Sequence, residues 1–86
     1  MHTVDLLEQA LQAAAQLGYG VRREWLGGSG GGSCEIKGQK WIFLDLALSL
    51  PDQLEHMAET LRSEPGAACL PLSPALSRLV IPRKAA

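Results

Sequence analysis

The stretch Cys34-Glu35-Ile36-Lys37-Gly38-Gln39-Lys40-Trp41-Ile42-Phe43-Leu44-Asp45-Leu46 decides how this chain folds. Two strand-forming segments, 34–37 and 40–46, flank Gly38-Gln39, a Gly-x pair suited to a type II′ turn, so the stretch predicts a β-hairpin. Pairing Ile36 with Trp41 and Cys34 with Phe43 collects those four side chains on one face. The same register sets Lys37 opposite Lys40, where like charges repel, and a wider four-residue turn holding both lysines is the alternative. The unbroken apolar run from Trp41 to Leu44 predicts the central, most buried strand.

Working outward, residues 19–26 alternate loosely, with Val21 and Trp25 on one face and Arg22 and Glu24 on the other, the pattern of a half-exposed strand. Before it, Val4, Leu7, Leu11, Ala14 and Ala15 recur at helical spacing from Thr3 to Leu17. Thr3 offers an N-cap for that helix and Gly18 a left-handed stop. After the hairpin, Ser49-Leu50-Pro51-Asp52 has the form of a capping box with Pro in the first turn. The helix it opens carries Leu50, Leu54, Met57, Ala58 and Leu61 as its buried stripe and ends at Pro65-Gly66. Residues 67–71 read as extended, Ser73-Pro74 begins a short helical piece through Val80, and residues 83–86 read as a frayed end. The fold class is therefore α+β. An N-terminal helix, a three-stranded antiparallel sheet, a second helix and a short C-terminal extended or helical segment make one domain over residues 1–86.

Composition bounds the function. The chain has 86 residues, eight Lys and Arg against nine Asp and Glu, and 47% hydrophobic content. That balance offers no concentrated positive charge for nucleic-acid phosphates, so nucleic acid is not the expected partner. Its most apolar run, 41–50, is interrupted by Asp45 and Ser49 and is half the length of a membrane span. The first residues lack the basic stretch and apolar run of a secretory signal, and cytoplasmic residence follows as the expectation. Two cysteines, Cys34 and Cys69, are too few for a disulfide scaffold and read as reduced, partly buried thiols, with a single bridge between them as the alternative. A domain this small has a thin stability margin, which self-association would supplement.

One segment departs from the average. Residues 27–33 hold five of the nine glycines and read as a flexible glycine-rich loop. Backbone N–H groups at Gly28, Gly30, Gly31, Gly32 and Ser33 are candidate anion-binding donors, because glycines allow close approach of the main chain to a phosphate. The expected strand after them removes the helix N-terminus on which phosphate loops depend, Ser33 stands where the third glycine of a dinucleotide fingerprint starting Gly28-x-Gly30 belongs, and there is no Gly-Lys-Ser/Thr. A mobile hairpin connection is the preferred reading, and the composition also matches an engineered flexible linker.

The available borderline metal ligands, His2, His56, Cys34 and Cys69, show no clustered spacing, and neither a metal nor a cofactor is expected. Helix residues Glu55-His56-Met57-Ala58-Glu59, placed after a strand hairpin, resemble the active-site region of small bacterial zincins that cleave regulators. The resemblance spans about twenty-five residues and implies a metallohydrolase-like domain. The motif His-Glu-x-x-His is incomplete here, since His56 is its sole histidine, so the domain would be a degenerate one. On helical spacing Asp52, His56 and Glu59 share a side opposite Leu54, Met57 and Leu61, which is simply a solvated face. No hydroxyl sits in a nucleophile elbow.

Trp25, Trp41, Tyr19 and Phe43 concentrate in the strand region. Core packing accounts for most such aromatics, and a tryptophan on the less protected sheet face would anchor a protein partner. The leading expectation is a non-catalytic interaction or oligomerisation module with Trp25 or Trp41 as contact, the partner being a protein or a second copy. The alternative is a small-ligand-binding or degenerate metallohydrolase-like domain. A Gly-Gly-x-Cys lead into a hairpin, an apolar strand ending in Asp45, and Gln53-Leu54-Glu55 opening a helix together resemble a group of small bacterial proteins without known activity. The likeness spans about residues 18–62 and implies no function.

Overall fold

A computed structural model describes residues 3–28 and 31–80. The elements are α1 (Thr3–Gln16), β1 (Tyr19–Glu24), β2 (Gly31–Ile36), β3 (Gln39–Asp45), α2 (Leu50–Arg62), a 3-10 turn over Pro65–Cys69, and α3 (Pro74–Val80). This is an α+β fold, as the periodicities require. Residues 67–69 wind into the 3-10 turn rather than extending, since Pro65 presets its first dihedral and Leu70 N–H closes it onto the Ala67 carbonyl.

The hairpin forms, with its turn one residue earlier than expected. Lys37 (φ 51°) and Gly38 (φ 81°) both occupy the left-handed region, so the connection is a two-residue type I′ turn between the paired Ile36 and Gln39. Cys34 then faces Trp41 and Glu35 faces Lys40. Charge explains the choice of register. The expected pairing set Lys37 against Lys40, whereas the observed one puts a carboxylate beside Lys40 and moves Lys37 out of the ladder.

The expected antiparallel sheet is corrected to a mixed one. Strand order is β1-β3-β2, with β2 antiparallel and β1 parallel to β3, from Tyr19 opposite Lys40 to Glu24 opposite Asp45. The chain between β1 and β2 is thus no hairpin. Its described part, residues 25–28, forms an arch at the C-terminal end of β3, and β2 begins on the other side of that strand. This places the most apolar strand in the middle, where its main chain is paired on both sides, and leaves the two more polar strands at the edges.

Asp45 fastens the arch. Its Oδ1 accepts the Leu26 N–H at 3.0 Å and the Ala47 N–H at 2.9 Å, while Leu46 N–H reaches the Glu24 carbonyl at 2.9 Å. The residue is fully buried, and a buried carboxylate is tolerated only where donors surround it. The glycine-rich loop is shorter than the expected 27–33, because Gly31, Gly32 and Ser33 belong to β2. Gly31 must be glycine. It has φ +72°, and a Cβ there would sit 2.0 Å from the Phe43 carbonyl oxygen.

The helices stack on one sheet face. Ile42 and Leu44 of β3 join Leu7, Ala10, Ala13 and Ala14 of α1, Leu54, Met57 and Leu61 of α2, and Leu76 and Val80 of α3 in one buried cluster. Tyr19 and Val21 of β1 pack against it. Burial on α1 centres on Leu7, Ala10 and the pair Ala13-Ala14, with Val4 and Ala15 left exposed. Alanines on that stripe bring the α1 backbone close to its neighbours, and each core Leu or Ile contributes about 1.5–3 kcal/mol by leaving water. Helix α2 starts as read, with Ser49 Oγ accepting the Asp52 N–H at 3.3 Å; Leu50, expected in its stripe, is exposed one residue into the helix. Cys69, expected to be partly buried, is exposed.

At the other end of the sheet a polar clasp ties the turn after α2 to the strands. Tyr19 donates its hydroxyl to Glu64 Oε2 at 2.9 Å, and Lys40 Nζ lies 3.3 Å from the same oxygen. Gln39 Nε2 donates to the Gly18 carbonyl at 2.8 Å. Arg62 Nε closes the C-terminal end of α3 by donating to the Leu79 carbonyl at 2.8 Å.

Candidate interaction surface

Alternation along β3 divides the sheet. Ile42 and Leu44 point into the helices, so Trp41 and Phe43 point the other way, beside Cys34 and Gly32 of β2 and Gly20 and Arg22 of β1. No helix covers this second face among the described residues, and neither aromatic belongs to the buried cluster. Ile36, two positions from Cys34, is 49% exposed at its border.

Trp41 is held flat. A Cβ built on Gly20 would fall 2.5 Å from Trp41 Cζ3, so the indole lies across the β1 backbone and is half-buried there without any helix above it. A rigid aromatic laid on a sheet offers contact area at low entropic cost. Trp25 sits elsewhere than expected. It follows the last residue of β1, in the arch, and is 75% exposed.

The glycine residues singled out as candidate anion donors are dispersed. Gly27 and Gly28 form a turn with φ of +69° and +84°, and Gly30 lies outside the described residues. Gly31, Gly32 and Ser33 run along the edge strand. Of the sequence's metal-ligand candidates, His2 lies outside the described residues, while Cys34 and Cys69 are free and exposed and His56 is half-exposed. Among the described residues no three His, Cys, Asp or Glu side chains gather in metal-holding range. Cys34, read as packing opposite Phe43, instead stands exposed opposite Trp41.

Two further features were not legible beforehand. A cleft of about 330 Å³ lies between α1 and the segment leading into α3, lined by Gln9, Gln12, Gln16, Leu70, Leu72 and Ser73. Ser73 Oγ is hydrogen-bonded to Gln9 Oε1 in its wall and also accepts the Leu76 N–H at 3.3 Å, so its polar groups already serve to join α1 to α3. The Tyr19 hydroxyl is held above its ordinary pKa, first by burial and then by its hydrogen bond to Glu64 and that carboxylate's charge. Lys40 Nζ stands 5.4 Å from the Tyr19 ring centroid, completing a clasp whose members satisfy one another.

No helix among the described residues is long and apolar enough to cross a membrane. Comparison with protein-family models, with curated proteins and with solved structures gives no match.

Proposed function

We propose that this protein is a small interaction or oligomerisation module that acts without catalysis, through the sheet face that its helices leave open. The observation that carries this reading is the apolar composition of that face. Trp41, Phe43, Cys34 and the border residue Ile36 stand together on one side of a sheet whose other side packs Ile42, Leu44, Tyr19 and Val21 against the helices. Water against such a surface is costly, at about 25 cal/mol for each Å² of apolar area, and a docked protein surface relieves that cost. Trp25, on the adjoining arch, supplies a second aromatic anchor.

Light scattering over a concentration series tests the reading. The expected result is association that strengthens with concentration and weakens in Ile36→Lys and Phe43→Ser, with Trp25→Ala weakening it further. A chain that stays strictly monomeric to about 300 µM, a level at which even weak contacts populate complexes, would count against it.

A further inference from the structure

We propose that β2 pairs antiparallel with β2 of a second copy, in the register that centres on Cys34. The inference rests on the interaction reading above for the existence of a partner, names that partner as a second copy, and adds a contact along the β2 edge that borders the open face.

The hairpin decides which main-chain groups are available. Ile36 and Gln39 flank the two-residue turn as a hydrogen-bonded pair, so Gly32, Cys34 and Ile36 direct their N–H and C=O groups at β3. Ser33 and Glu35 therefore direct theirs away from the sheet. No hydrogen bond among the described residues takes up these outward groups, and β2 is exposed along nearly its whole length. The edge is also free of the usual protection. It has no Pro, and Glu35 is its one charge. The opposite edge, β1, carries Arg22, Arg23 and Glu24, with an Arg22–Glu24 ion pair at 3.0 Å along the strand. Self-pairing near the middle of β1 would set arginine against its own twin.

Side chains then select the register on β2. Registers in which a residue of the open face meets one of the helix-side face would join the open apolar face of one copy to the helix-covered face of the other. Among those that keep the faces continuous, centring on Glu35 opposes two carboxylates, and centring on Ser33 carries Ile36 past the start of the other strand. Centring on Cys34 opposes Ser33 with the second copy's Glu35 and Gly32 with its Ile36. The last pairing is complementary in shape. A Cβ at Gly32 would meet nothing within 4 Å, which leaves open space beside Phe43, while Ile36 projects from the same face half-exposed. Each Ile36 fills the place above the other copy's Gly32. The product is one six-stranded sheet, ordered β1-β3-β2-β2-β3-β1, with all helices on one side and, on the other, the apolar residues of the two β3 and two β2 strands side by side, bordered by the Arg22–Glu24 pairs of β1.

Cys34 reports the register directly. At the centre of the pairing it meets its twin in a non-hydrogen-bonded pair, with Cα atoms about 4.5 Å apart, inside the range a disulfide bridges. In a Cys69→Ser background, copper-phenanthroline removes two electrons from the two Cys34 thiols, two protons leave, and a linked dimer forms. We expect this dimer to form about tenfold faster than one linked through S33C in a C34S/C69S chain, because the offset register separates those sulfurs beyond bonding distance. Ser33→Pro should lower dimerisation while the far-UV spectrum stays native, since it removes an outward N–H and no bond to β3. Should that variant unfold, the comparison of linking rates still decides. A dimer that links through S33C faster than through Cys34 overturns the register and leaves the interaction module standing. A strict monomer that links through neither overturns both.

Discussion

Replacing Asp45 with alanine tests the device on which the sheet order depends. The carboxylate is fully buried and one of its oxygens accepts both the Leu26 and the Ala47 N–H, at 3.0 and 2.9 Å. Hydrogen bonds to a charged acceptor contribute about 1.5–3 kcal/mol each, and stranding their donors forfeits most of that. Part of the loss is offset, because alanine no longer has to desolvate a charge. The expected net cost is about 3 kcal/mol. A chain of this length has a total stability of about 4–13 kcal/mol, so the variant should melt about 12–24 °C lower and verge on unfolding if the parent lies at the low end. Asp45→Asn keeps one acceptor oxygen and should lose less than half as much. Urea denaturation read by tryptophan fluorescence gives the free energy, and amide hydrogen exchange gives the location, since Leu26 and Ala47 should lose protection before the core of β3 does. A cost below about 1 kcal/mol, or unchanged protection at those two amides, would refute the assignment of Asp45 as the clasp of the arch.

Three other outcomes follow from particular contacts. Gly31→Ala forces a Cβ into the Phe43 carbonyl and should cost more than about 2 kcal/mol, whereas Gly32→Ala, with open space around it, should cost under about 1 kcal/mol in the same urea titration. Lys37→Asn or Lys37→Gly should raise the unfolding free energy by about 0.5–1 kcal/mol and move the urea midpoint up with it, because Lys37 holds φ 51° in a type I′ turn that those residues accept more readily. The Tyr19 pKa lies above its unfolded value of 10.0, so the folded state binds that proton more tightly. Its contribution is fully present below pH 10 and is lost as pH rises through the folded pKa, and Tyr19→Phe should flatten that part of the stability profile. Equal slopes in parent and variant above pH 10 would remove the clasp from the account.

The order of elements was legible because its signals are local. Helical spacing from Leu7 to Ala14, the Ser49-Leu50-Pro51 start of α2 and the glycine between two strand-forming segments each act within a few residues, and each element formed close to where they place it. The near-even charge balance, a formal −1, likewise belongs to the sequence alone and needs no fold to be read. Three things awaited tertiary structure. Turn placement depended on whether Lys40 faces Lys37 or Glu35, a comparison between neighbouring strands rather than within one. The face of β3 that meets the helices could not be read from Trp41-Ile42-Phe43-Leu44, because both phases of that run are apolar; packing of Ile42 and Leu44 against α1 and α2 settled it and left Trp41 and Phe43 outside. Strand order was the largest of the three. A glycine-rich connection carries almost no preference of its own, so the exit from β1 is held instead by a buried aspartate at the end of another strand, which accepts the amide two residues beyond β1. That contact joins residues nineteen positions apart, and its free energy exists only once β1 and β3 lie side by side.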